Sequence, residues 1–86
     1  AHHPSKRVSF CGGLGLIREK EGQLQLMYLG CGRSLKKGNF VLESDHDVYA
    51  AIYMQHGVWY YSATGPVRVK IGKETKGLNE GYNQKL

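Results

Sequence analysis

Residues 49–66 read Y-A-A-I-Y-M-Q-H-G-V-W-Y-Y-S-A-T-G-P, and this stretch decides the fold. Two runs rich in aromatic and β-branched residues flank Gln55-His56-Gly57, the pattern of a β-hairpin. The segment holds the single Trp and four of the six Tyr of the chain. A three-residue turn there pairs Met54 with Val58 and sets Tyr53 opposite Trp59. Tyr49, Tyr53, Trp59 and Tyr61 then share one face, with Ile52, Met54, Val58 and Tyr60 on the other. A two-residue turn regroups them, because a slip of one residue turns a strand's side chains over.

The same alternation extends outward. Val67, Val69 and Ile71 face in, while Arg68 and Lys70 face out. Upstream, residues 14–18 and 23–29 form a first hairpin around Glu19-Lys20-Glu21-Gly22. There Leu24, Leu26 and Tyr28 alternate with Gln23, Gln25 and Met27, so the first three define the more buried face. Pairing Glu19 with Gln23 and extending that register puts Cys11 opposite Cys31. The two sulfurs are then neighbours, as thiols or as a cross-strand disulfide. Residues 35–39 make a polar turn into 40–43, and the acidic residues 43–47 connect to the aromatic hairpin.

Twelve glycines and two prolines punctuate the chain, and no segment sustains a helical period. The best helical stretch, near 76–84, is interrupted by Gly77 and Gly81. The expected fold is all-β, a small barrel or strongly bent antiparallel sheet of about six short strands, since closure hides aggregation-prone edges. A chain of 86 residues makes one domain. Residues 1–5 read as a cloning scar or a disordered arm, 6–72 as the β domain, and 73–86 as a flexible, polar, basic tail. The start Ala1-His2-His3-Pro4-Ser5, without Met, is why His2 and His3 are left out of metal reasoning.

Charge and cysteine content narrow the function classes. Twelve Lys and Arg against seven Asp and Glu give a net charge of +5, which favours polyanionic partners. No apolar run approaches the roughly 20 residues that span a bilayer. Two cysteines are too few for a secreted disulfide framework, which points to an intracellular, cytoplasmic setting. His46, His56, Cys11 and Cys31 are the candidate metal or catalytic set. They lack C-x-x-C or H-x-x-H spacing, so neither a metal nor any cofactor is expected.

These features favour a non-enzymatic module that binds single-stranded nucleic acid. Bases would stack on Trp59, Tyr53, Tyr61 and Tyr49, with Arg68, Lys70, Lys36 and Lys37 flanking them. Burial of the same aromatics in the core is the competing reading. A second function class is a protein-interaction domain from a larger, perhaps viral, polyprotein. It would add a partner strand beside residues 40–43 or 67–71.

Residues 35–69 also resemble the histidine-bearing strand hairpin of papain-like hydrolases: the NlpC/P60 amidases, the H-box acyltransferases with their viral 2A relatives, and the ubiquitin-specific and viral papain-like proteases. Lys37-Gly38-Asn39 resembles their Gly-Asp turn, Ala51-Ile52-Tyr53 the core, and residues 57–61 the return strand. In the H-box pattern the histidine falls near Tyr49, which is not a base. In the ubiquitin-protease pattern His46 matches, and Cys31 is the one nucleophile to pair with it. No helix precedes Cys11 or Cys31 to carry that nucleophile, so the resemblance implies a non-catalytic remnant or a fragment of a larger enzyme.

Overall fold

A computed structural model describes residues 7–9, 13 and 15–86, with backbone alone for 7–9. The strands, in chain order, are β1 (Arg7–Ser9), β2 (Arg18–Lys20), β3 (Gln23–Gln25), β4 (Met27–Leu29), β5 (Ser34–Lys37) and β6 (Phe40–Glu43). They are followed by β7 (Val48–Gln55), β8 (Val58–Ala63), β9 (Val67–Ile71), β10 (Glu74–Leu78) and β11 (Gly81–Lys85). All pairings are antiparallel, in a small sheet β1-β3-β2, a middle sheet β11-β8-β7-β4 and an outer sheet β10-β9-β6-β5. The all-β expectation holds. The sheets stack as open layers rather than closing, and the strands are more numerous and shorter than expected.

The middle sheet is buried on both faces. Val48, Ala50 and Ile52 of β7 pack with Tyr61 and Ala63 of β8 against Leu42, Val67 and Val69 of the outer sheet. The alternate residues, Ala51 and Tyr53, pack with Leu24 and Leu26 beneath the small sheet. That arrangement explains why residues 48–53 carry almost no polar side chain, since a strand covered on both sides gains from apolar residues at every position. Two sheets sharing a central one let a short chain bury more than a single sheet would.

Both hairpin registers differ from the expectation by one residue. Gln55 pairs with Val58, and Tyr53 lies opposite Tyr60. His56 (φ 50°) and Gly57 (φ 77°) both lie in the left-handed region, the signature of a two-residue type I′ turn. Glu21 (φ 55°) and Gly22 (φ 74°) do the same in the first hairpin, so Lys20 rather than Glu19 pairs with Gln23. The I′ turn matches the twist of the flanking strands, and that preference outweighs the cost of a non-glycine residue at positive φ.

The run 23–29 is not one strand. It breaks at Leu26, where the chain leaves the small sheet and enters the middle one as β4 against β7. The expected Cys11–Cys31 alignment depended on an unbroken strand; Cys11 lies outside the described residues. Nor do residues 73–86 hang free as a tail. Their strands β10 and β11 pair with β9 and β8 and supply one edge of each large sheet. Tyr53 Oη donates to Asn83 Oδ1, and the Asn83 N–H donates to Ser62 Oγ at 2.8 Å, which fastens β11 to the buried centre. Among the described residues no helix is long and apolar enough to cross a membrane.

Candidate functional site

The register shift divides the expected aromatic face. Tyr53 is fully buried under the small sheet, while Tyr61 (8% exposed) lies in the core shared with the outer sheet. Trp59 is half-buried on that second side, its ring 4.6 Å from Phe40. A Cβ on Gly15 would stand 2.8 Å from the Trp59 ring, so the indole is held between that glycine and Phe40. Tyr49 lies on the opposite side, with Tyr53. The aromatics thus serve two cores rather than one platform.

The basic candidates divide by partner rather than by face. On the outer sheet's solvent side, Lys36 opposes Val41 and Val41 opposes Lys70. Arg68 and Lys70 are engaged there. Arg68 meets Asp45 at 2.7 Å and Glu43 at 3.4 Å, and Lys70 meets Glu43 at 3.1 Å. Lys70 and then Arg68 hold the Glu43 carboxyl below its ordinary range, and Arg68 does the same for Asp45. Lys36 and Lys37, both exposed on the edge strand β5, form no ion pair among the described residues. The strands proposed to accept a partner, β6 and β9, each have neighbours on both sides within the outer sheet. The unpaired edges of the two large sheets belong to β4, β5, β10 and β11.

The residue the sequence reading passed over is Tyr28. Among the described residues only Tyr28 (55%) and Ile71 (36%) are exposed large hydrophobic side chains. Tyr28 sits on edge strand β4, opposite Tyr49 and with its ring 5.2 Å away from that ring. It borders an open cleft of about 540 Å³ at the β4–β5 turn, lined also by Leu29, Gly30, Arg33, Leu35 and Asp47.

The cleft's rim is tightly bonded. Asp47 Oδ1 accepts from the Tyr28 hydroxyl at 2.9 Å and from the Cys31 N–H at 3.0 Å. The Gly32 N–H donates to the Ser44 carbonyl at 2.8 Å, and Cys31 Sγ donates to the Asp45 carbonyl at 2.9 Å. Ser44 Oγ in turn donates to the Pro66 carbonyl at 2.6 Å, so three loops are tied together. The Tyr28 hydrogen bond depresses the Asp47 carboxyl, with the Cys31 N–H adding to it, and the same bond raises the Tyr28 phenol above its ordinary value. Both groups therefore keep one protonation state across the neutral range. Sequence alternation assigned Tyr28 to the buried face with Leu24 and Leu26. The sheet change at Leu26 exposes it, and the Gly30-Cys31-Gly32 turn just beyond is the one local hint.

Among the described residues no group of three or more His, Cys, Asp or Glu is placed to hold a metal ion. What the cleft offers is a fixed aromatic face, a carboxylate acceptor and Arg33 in its lining. Such a set suits a polyhydroxylated ligand: C–H faces pack on a ring, and hydroxyls bond to charged groups.

A comparison with protein families finds a match over residues 1–54 to the family described as the endo-acting ulvan lyase C-terminal domain. The match covers more than half of the 86 residues, and the chain belongs to that family. It includes Tyr28, Arg33 and Asp47, so the cleft lies within the matched part. No curated protein and no solved structure matches the chain.

Proposed function

We propose that this domain is a non-catalytic module that holds an acidic polysaccharide in the Tyr28 cleft for a lyase. The family's description names an endo-acting lyase, an enzyme that cuts within a polymer. Lyase cleavage of a polysaccharide proceeds by elimination. That chemistry removes a proton α to a carbonyl, which a uronic acid supplies. A polymer of that kind is a polyanion, and a chain of net charge +5 is attracted to it. An accessory domain that keeps the polymer close raises its effective concentration at a neighbouring catalytic domain.

The observation that carries this reading is the exposed Tyr28 ring, fixed by Asp47 and set beside the Tyr49 ring over an open cleft. A ring left in solvent at the edge of a small domain forgoes burial that the core could use. The nucleic-acid alternative relied on Trp59, Tyr53 and Tyr61 sharing an exposed face. Single-stranded DNA is therefore the comparison polyanion rather than the expected ligand.

The test is affinity for a polygalacturonate fragment, measured calorimetrically with the native chain, Tyr28→Ala and Tyr28→Phe. Tyr28→Ala is expected to weaken binding about tenfold, and Tyr28→Phe, which keeps the ring, about two- to threefold. Equal affinity of all three proteins, or tighter binding of single-stranded DNA than of the polyuronate, would overturn the reading.

A further inference from the structure

Beside the Tyr28 cleft runs a second depression of about 230 Å³, lined by Ile17, Met27, Leu35, Lys36 and Lys37 among others. The two depressions share Leu35. Their common walls are β4 and β5, the edge strands on one side of the two large sheets. Together they form one groove along that side. Strand β5 contributes roughly 13 Å of it at about 3.3 Å per residue, the reach of a short oligosaccharide.

Charge is distributed unevenly along the groove. At one end Asp47 is a carboxylate committed to Tyr28 and the Cys31 N–H, with Arg33 close by. At the other end Lys36 and Lys37 line the depression from opposite faces of β5, and neither forms an ion pair among the described residues. Arg68 and Lys70 have their charge met by Asp45 and Glu43, so the cations of this side without an ion pair among the described residues are Arg33 at the cleft end and Lys36 and Lys37 at the β5 end, where no carboxylate lines the depression. A lysine is a compact point charge that accepts a carboxylate or a sulfate ester alike.

We infer that Lys36 and Lys37 form a second, anion-reading subsite. It takes a carboxylate or sulfate group of the same polysaccharide chain whose neighbouring sugar stacks on Tyr28. This inference rests on the polysaccharide reading above and adds what that reading lacks: a direction along the groove and a reason to prefer an acidic polymer over a neutral one. The Tyr28 end supplies stacking and hydroxyl contacts. The β5 end supplies the charge selectivity.

The experiment compares the double variant Lys36→Gln/Lys37→Gln with Lys73→Gln/Lys76→Gln, which removes the same charge elsewhere on the exposed surface. Each is titrated with a polygalacturonate fragment, dextran sulfate and neutral dextran at two salt concentrations. The expected result is a loss of about tenfold or more for the acidic polymers with the Lys36/Lys37 variant, with a weaker salt dependence. The Lys73/Lys76 control should lose less than about threefold, and dextran should not distinguish the proteins. The acidic polymer with the larger loss identifies carboxylate or sulfate as the preferred anion. Equal losses in the two double variants would reduce the subsite to diffuse charge and overturn it. Binding that depends on Tyr28 but not on Lys36 or Lys37 would overturn the subsite alone. Binding that ignores Tyr28, or no polymer binding at all, would overturn the underlying reading and the subsite with it.

Discussion

Replacing Tyr53 by Phe tests how the C-terminal strand is attached. The Tyr53 side chain is fully buried, and its hydroxyl meets Ser62 Oγ at 3.3 Å and donates to Asn83 Oδ1. The substitution removes the hydroxyl and keeps the ring stacked on Tyr60 at 6.1 Å. Asn83 is exposed, so water can replace the lost donor there. Ser62 is fully buried; its oxygen still accepts from the Asn83 N–H, but its own hydrogen loses its buried partner. One net hydrogen bond of about 1 kcal/mol plus part of a buried hydroxyl's desolvation gives a loss of about 1–2 kcal/mol. For a domain of this size that lowers Tm by roughly 5–15 °C. Urea unfolding followed by the single Trp should show an unchanged m-value, because the same surface is exposed. Amide exchange should accelerate first in β11 and only later in β7. A change below about 0.3 kcal/mol, or loss of protection spread evenly over the middle sheet, would refute the claim that Tyr53 fastens β11.

Further predictions concern the backbone and pH. Gly15 has φ 135°, and a Cβ there would stand 2.4 Å from the Ile52 carbonyl oxygen, a backbone atom that cannot step aside. Gly15→Ala should therefore destabilise by about 2 kcal/mol or more in a denaturant titration. Gly22→Ala (φ 74°, open space around it) should cost only about 1 kcal/mol. The Asp47 carboxyl is depressed in the folded protein, so its contribution is full above the ordinary carboxylate range and fades as pH falls through its lowered value, below about pH 4. The Tyr28 phenol is raised, so its contribution is full below about pH 10 and fades as pH climbs through its raised value. Polysaccharide affinity should accordingly be flat between about pH 5 and 9, and steeper variation inside that window would contradict the bond between them.

Much of the framework is readable from side-chain alternation. Val67 and Val69 are buried while Arg68 and Lys70 reach solvent, as their period requires. Both hairpins fall where X-Gly turns mark them. Register was the point of failure, because Glu-Gly and His-Gly carry the I′ preference less visibly than Asn-Gly, and one residue of slip redistributes every aromatic. The functional surface suffered most. Tyr53 and Tyr61 satisfy both the pattern of a stacking platform and that of a core, and composition does not separate the two. Tyr28 is exposed by a change of sheet at Leu26, a tertiary event whose one local hint is the Gly30-Cys31-Gly32 turn beyond it. Residues 74–85 look too polar to fold alone; they are held by pairing to β8 and β9, with Leu78 and Tyr82 packed half-buried against the two cores.

The most direct test of the polysaccharide groove is a heteronuclear NMR titration of the native chain with an oligogalacturonate. The account predicts saturable shifts of the Tyr28, Gly30, Arg33, Leu35, Lys36 and Lys37 amides, with little change at Arg68, Lys70 and Thr75. Shifts confined to Arg68, Lys70 and Thr75, or none at all at concentrations that saturate a millimolar site, would contradict it.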